Sequence, residues 1–178
     1  MKKPIDSLVN ALVVHHFQER GMSLIFRMIY LLLVSFFKPR LPVVKPENSL
    51  ILRVLPNDLD INIHMNNGRY LTICDLSRVD MFIRTGLART MHKEGWIPVV
   101  SEHTMKYKKP LKPFQKYEVK MKIVDWDDKS FHMQHTFLVK DRVVAEGTSR
   151  GCVLSKTGVI PPDTVIQKVT ERLETKER

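Results

Sequence analysis

From Leu24 to Phe37 the chain reads LIFRMIYLLLVSFF, apolar except at Arg27 and Ser35. As a helix this run is about 21 Å long at about 1.5 Å per residue. A bilayer core is about 30 Å thick, so an ordinary membrane span is not expected. A cleaved signal peptide fits poorly, because the run starts late and no small-x-small site follows it. Arg20 precedes the run and Lys38 and Arg40 close it. Such flanks suit a helix lying in a membrane interface, with Arg27 reaching from its middle to lipid phosphates. The competing reading packs the helix on the rest of the domain or on a second subunit. LPVVKPENS, with its two prolines, then reads as a linker.

Beyond the linker the pattern changes. SLILRVL is a short β-prone run stopped by Pro56 and Asn57. In GRYLTICDLSRVDMFIRTGL the spacing predicts a helix with Thr72, Leu76, Val79, Phe82, Ile83 and Gly86 on one face, and Asp75, Arg78 and Arg84 pointing elsewhere. Asn66 or Asn67 suits its N-cap, and Gly86 or Gly95 its end. The remainder alternates with a period of two. Tyr117, Val119, Met121 and Ile123 share one face, and Phe131, Met133, His135, Phe137 and Val139 share another. Turns at Asp127-Asp128-Lys129 and Lys140-Asp141 join these runs to RVVAEGTSRGCVLSK as an antiparallel meander. Gly158 and Pro161-Pro162 end it, and a charged helix over about Asp163 to Glu174 follows. One apolar helix face and one apolar sheet face must cover each other, which makes the chain α+β, a central helix wrapped by a curved antiparallel sheet.

The formal net charge of +10 points to an anionic partner, either a lipid surface or a phosphorylated ligand. No zinc-finger, RNP or recognition-helix pattern accompanies it, so nucleic acid is not expected. The two cysteines, Cys74 and Cys152, have no CxxC partner and no histidine at ligand spacing, so no metal site is expected and free thiols in a reducing compartment are. His132 and His135, three apart in a strand, face opposite sides and form no local metal pair. His15 and His16 carry little weight.

The most chemical stretch is DLDINIHMNN, with Asp58, Asp60, Asn62, His64, Asn66 and Asn67 followed by Tyr70. Complete and set between a strand and a helix, this D-x-D-x-N-x-H-x-N-N segment resembles that of hotdog-fold acyl-CoA and acyl-carrier-protein thioesterases, the 4-hydroxybenzoyl-CoA thioesterase-like group. The stretch LRVLPNDLDINIHMNNGRYL and the apolar N-terminus resemble the subgroup called thioesterase superfamily member 6. The resemblance covers about residues 50–156. It implies a hotdog domain over residues 49–160, preceded by an apolar helical segment (1–40) and a linker (41–48) and followed by a charged tail (161–178).

The resemblance also implies the chemistry: hydrolysis of a fatty or aromatic acyl-CoA, with no cofactor. Asp60 stands where the family has its catalytic aspartate, as general base or nucleophile. Backbone N–H groups of Asn67 and Gly68, at a helix start, suit the oxyanion. Asn62 and His64 would orient water, hold Asp60 or bind the carbonyl, while Asn66 caps the helix and Asp58 is structural. Tyr70, Lys106, Lys108, Lys109 and Arg150 are expected to contact the substrate, the cations, with Lys112, holding its phosphates. Plant acyl-carrier-protein thioesterases place an acid after a tyrosine and two basic residues. Here Tyr107-Lys108-Lys109 is followed by Pro110, leaving Glu102 as a weak stand-in. Alternatives are an acyl-carrier-protein thioesterase and a non-catalytic, membrane-associated acyl-binding protein. A homodimer or larger homo-oligomer is expected, cytoplasmic, with peripheral membrane contact through residues 22–40.

Overall fold

The computed structural model of this chain describes residues 24–177. His15, His16 and Arg20 lie outside them. Helix α1 covers residues 24–37 within that range, β1 spans Glu47–Arg53, and a 3-10 turn spans Pro56–Asp58. Helices α2 (Asn67–Arg84) and α3 (Leu87–Glu94) precede β2 (Ile97–Tyr107), β3 (Lys116–Trp126), β4 (Phe131–Val139), β5 (Arg142–Ser155), β6 (Gly158–Ile160) and α4 (Pro162–Glu177). The strands form one antiparallel sheet in the order β1-β3-β4-β5-β2, with β6 paired to β5. The curled sheet around α2 is the hotdog arrangement expected.

The alternating strands behave as their pattern dictates. Tyr117, Val119 and Met121 of β3 and Met133, His135 and Phe137 of β4 are buried, facing α2. The β4–β5 hairpin closes through Lys140 and Asp141, both with positive φ (47° and 63°), as a tight two-residue turn requires. The Asp127 turn closes through the Asp127 N–H bonding to the Ser130 carbonyl at 3.0 Å. The short β6 was not anticipated, because Gly158 reads as a terminator.

The predicted face of α2 needs correction. Its buried residues include Tyr70, Ile73, Cys74, Ser77, Arg78, Asp80 and Met81 beside Leu76. Thr72, Val79, Phe82 and Ile83 are only partly buried, and Arg78, expected to point away, is 5% exposed. The reason is that α2 is covered on two sides. The sheet takes one, and α1 with the start of β1 takes the other and supplies partners for polar groups. Asn48 Nδ2 donates to the Ser77 carbonyl and to Asp80 Oδ2, both at 2.8 Å.

Helix α1 packs on this second side. Leu31 and Ser35, one turn apart, are buried, and Met28 packs against the core. Arg27 does not reach outward to lipid as expected. Its guanidinium donates to the Asp58 carboxylate at 2.7 and 3.1 Å, because a carboxylate buried at 0% exposure must be paired. The opposite face leaves Phe26, Tyr30, Leu33, Phe36 and Phe37 exposed, Phe37 at 90%.

Asp80 fastens the C-terminal half of α1: Ser35 Oγ donates to it at 2.7 Å and Lys38 Nζ at 3.0 Å. Burial alone pushes its carboxyl pKa up, but the bonds from Asn48, Ser35 and Lys38 and the Lys38 charge outweigh burial and hold it below the usual carboxylate value. A folded-state pKa below the unfolded one stabilises fully above about pH 4 and is lost as pH falls through the folded value. Acidification below about pH 4 should therefore release α1 before the sheet unfolds, read as faster amide exchange in residues 28–37. Asp80→Asn should raise that exchange at pH 7 and weaken its acid dependence.

Candidate functional site

The motif loop is built around one buried acid. Besides Arg27, Asp58 takes the Leu55 N–H at 2.8 Å and lies 3.6 Å from Arg69 Nε of α2. Its own carbonyl accepts the Asn66 N–H at 2.8 Å, so residues 58 and 66 close a loop on themselves. Inside it, Leu59 bridges Met65, the Asp60 N–H bonds the His64 carbonyl at 2.9 Å, and the Ile63 N–H bonds the Asp60 carbonyl at 3.1 Å. The result is a miniature hairpin with Ile63 at φ 57°. The apparent alternation of Ile61, Ile63 and Met65 is not a strand face: Met65 is buried, but Ile61 is 96% exposed at the tip.

The hairpin brings Asp60 and His64 together. Asp60 Oδ1 accepts the Asn62 N–H at 2.8 Å, and Oδ2 lies 3.3 Å from His64 Nδ1. Both side chains are partly exposed, 19% for Asp60 and 34% for His64, so the pair opens to solvent at one side. The Nδ1 edge of the His64 ring faces Asp60, which leaves Nε2 on the other side for another partner. Asn62 contributes its amide, and its exposed side chain has no bond among the described residues.

The start of α2 lies directly after the hairpin. Asn66 is the cap: its Oδ1 accepts the Gly68 N–H at 2.9 Å. That corrects one expectation, since an amide already bonded to the cap is not free for an oxyanion. The Asn67 N–H, at the first helical position, has no partner among the described residues and remains available. Tyr107 Oη donates to the Asn67 carbonyl at 3.0 Å and so fixes β2 against this helix end. Glu102 stands on β2 well down the strand, paired with Arg150.

Tyr70, expected to contact the substrate, lies inside the core. It is 1% exposed, packed edge-on against Tyr107 and Phe137 at 5.0 Å, and burial pushes its phenol pKa up to about 12. The expected cation patch is also divided. Lys106 stands opposite Glu146 in the β2–β5 register, and Lys108 pairs with Glu146 at 2.8 Å. Arg150 lies 3.6 Å from Glu102, about 13 Å along β5 from Glu146 at about 3.3 Å per residue. Lys109 and Lys112 instead line a cleft of about 640 Å³ with Lys140 and Arg142, and no carboxylate is in its lining. Sequence reasoning missed Lys140 and Arg142 because they lie in and beside a turn, where cations read as solvated surface. The cleft is tied to the motif through Leu111, whose carbonyl accepts the Met65 N–H at 2.9 Å.

A second, apolar cavity of about 210 Å³ lies further along α2, lined by Val79, Phe82, Val99, Val100, Met133 and Val153 among others. Two filled layers separate it from the motif. The first is Tyr70, Tyr107 and Phe137; the second is Cys74, His103 and His135, a group that sequence spacing did not suggest.

The profile of the thioesterase-like superfamily matches residues 54–169. Protein THEM6 of Xenopus laevis is 38% identical over 136 residues, 74% of this chain but 64% of that protein's length. Protein THEM6 of Danio rerio is 30% identical over 148 residues, 82% of this chain and 71% of that one. Among solved structures, YbaW, a probable thioesterase from Escherichia coli, superposes with a TM-score of 0.63 at 19% identity, covering 69% of this chain and 96% of that one. At that identity the likeness bears on the fold alone. With the sequence match spanning the motif hairpin, α2 and every strand of the sheet but β1, the chain belongs to the thioesterase-like superfamily.

Proposed function

We propose that the protein is an acyl-CoA thioesterase that works as a homodimer at a membrane surface. The observation that carries the reading is the Asp60–His64 pair, 3.3 Å apart, in a hairpin that runs straight into the N-terminus of α2. Hydrolysis of a thioester needs a base for water and a donor for the oxygen that becomes negative. Asp60 takes a proton from the attacking water, held in place by the Asn62 N–H and by His64, whose Nε2 orients the same water. The tetrahedral oxyanion faces the Asn67 N–H at the positive end of the helix dipole. Collapse expels the CoA thiolate, which recovers the proton from Asp60 and leaves free acid. Gly68, with no side chain, keeps the approach to the helix end open.

The carrier's phosphates belong in the cleft of Lys109, Lys112, Lys140 and Arg142, which has the sign and the size for a diphosphate beside the motif. Acidic acyl carrier proteins would meet the same cleft, and comparing the two carriers in one assay separates them. The acyl chain follows β2, which runs from Tyr107 at the motif to Val99 and Val100 at the apolar cavity. β2 is an edge strand with exposed Ile97, Val99, Val100 and Tyr107. A second copy placed along it would pair the free edge and roof the path. No helix among the described residues is long and apolar enough to cross a membrane. Helix α1 instead offers Phe26, Tyr30, Leu33, Phe36 and Phe37 outward, a face suited to lying in the lipid interface, where a +10 chain is attracted to anionic lipid. The unpaired Cys74 and Cys152 suit a reducing, cytoplasmic setting.

With a panel of acyl-CoAs, Asp60→Asn should lower kcat by about 10²–10⁴ with the fold intact; an unchanged rate would remove Asp60 from the reaction. Lys112→Glu with Arg142→Glu should raise KM for acyl-CoA at least tenfold and leave turnover of an acyl-N-acetylcysteamine, which lacks phosphates, unchanged. An equal loss on both substrates would show that the cleft does not read phosphate. Wild type should co-sediment with vesicles of phosphatidylcholine and phosphatidylserine, and Leu33→Asp with Phe36→Asp should stay in the supernatant. Failure of the wild type to sediment would dispose of the membrane contact.

A further inference from the structure

Cys74 of α2, His103 of β2 and His135 of β4 meet inside the molecule, in the layer between the aromatic cluster and the apolar cavity. One ligand atom from each lies within 4.8 Å of the other two. Cys74 and His135 are fully buried. Two ring nitrogens here, His103 Nε2 and His135 Nδ1, are buried without a hydrogen-bond partner. Buried polar atoms are nearly always satisfied, so two orphans within one small group call for an explanation. The second nitrogen of His135 is not free: Nε2 lies 2.8 Å from Ser149 Oγ, which also accepts from Arg78 Nη1 at 3.3 Å. In the tautomer where Nε2–H donates to Ser149, the unpartnered Nδ1 keeps its lone pair free for a ligand. An outer hydrogen bond that fixes the ring and its tautomer is how metal-binding histidines are held.

We propose that Cys74, His103 and His135 form a buried three-coordinate site for one monovalent copper ion, independent of the thioesterase reading. Thiolate and imidazole ligands select soft ions. Charge chooses among them. Cys74 loses its proton to solvent as the S–Cu bond forms, and the imidazoles bind as neutral rings, so copper(I) leaves the site neutral. A divalent ion would leave a net positive charge, buried near the Arg78 guanidinium, whose own counter-ion is Asp75. Burial, then Arg78, pushes the His135 pKa down to about 3, and burial lowers His103 as well, so both rings are neutral and ready to ligate at pH 7. Burial pushes the Cys74 thiol up to about 12, so without an ion it stays protonated and inert. Ligand atoms around such an ion stand roughly 3.7 Å apart for bonds of about 2.0–2.3 Å. Closing from within 4.8 Å asks for about an ångström of side-chain movement at most.

The test titrates the reduced, full-length protein anaerobically with copper(I) against bicinchoninate, a chromophoric chelator, with zinc(II) in a parallel arm. Expected are one equivalent of copper(I) per chain, a Kd at least 100-fold weaker in Cys74→Ala, and no change in Cys152→Ala. Should the Cys74 variant fail to fold, X-ray absorption of the copper-loaded wild type decides. A shell of one sulfur and two nitrogens supports the site, and any other shell overturns it. Equal binding by folded Cys74→Ala and wild type also overturns it, as does zinc(II) binding more tightly than copper(I).

Discussion

The carboxylate of Asp58 is the constraint on which the working part of this molecule rests. It is wholly buried, and a buried charge is tolerated only when its lone pairs are met. Arg27 brings α1 to it, Arg69 brings α2, and the Leu55 N–H brings the end of β1. Its backbone carbonyl then holds Asn66, the cap of α2. Removing one partner of such a pair typically costs about 3–5 kcal/mol, since the remaining charge stays buried. Asp58 and Asp60, two residues apart in one motif, thus divide the labour: the first anchors the loop and the second is left facing outward in it.

The same anchor gives α1 two dissimilar faces. Its inner face is specified by polar contacts, Arg27 to Asp58 and Ser35 and Lys38 to Asp80, with Leu31 and Met28 packed between. Its outer face carries aromatic and aliphatic side chains into solvent. The two readings of this segment, packed on the domain or lying on lipid, are therefore compatible. Directional bonds fix the helix to the domain, and non-directional burial is left for whatever covers the other side.

Under α2 the core is layered rather than uniformly apolar. Aromatic rings come first, then a thiol and two imidazoles, then aliphatic side chains around a cavity. The first two layers each take one side chain from α2, one from β2 and one from β4, the two strands that flank β5 in the sheet. A polar layer in such a position narrows what can occupy the interior. It also separates the motif from the cavity within one chain, which is why the free edge of β2 gains importance.

Much was legible in the residues themselves. Alternation in β3 and β4, the turns at Asp127 and Lys140, the cap at Asn66 and the ten-residue motif are local, and local sterics and hydrogen bonding determine them. The pairing of Asp60 with His64 is nearly as local, since four residues separate them across one tight hairpin. What sequence alone could not decide depends on partners distant along the chain. Arg27 looked like a lipid contact until Asp58 took it. Arg78 looked exposed until the sheet enclosed it. Gly68 looked like an oxyanion donor until the cap used its N–H, and Arg150 and Lys108 looked free until Glu102 and Glu146 stood opposite. Cys74, His103 and His135 share no spacing a reader could detect, because only the folding of two strands against one helix brings them together. Period and turn chemistry are written along the chain, whereas which charge is neutralised, and by what, is settled only when the elements pack.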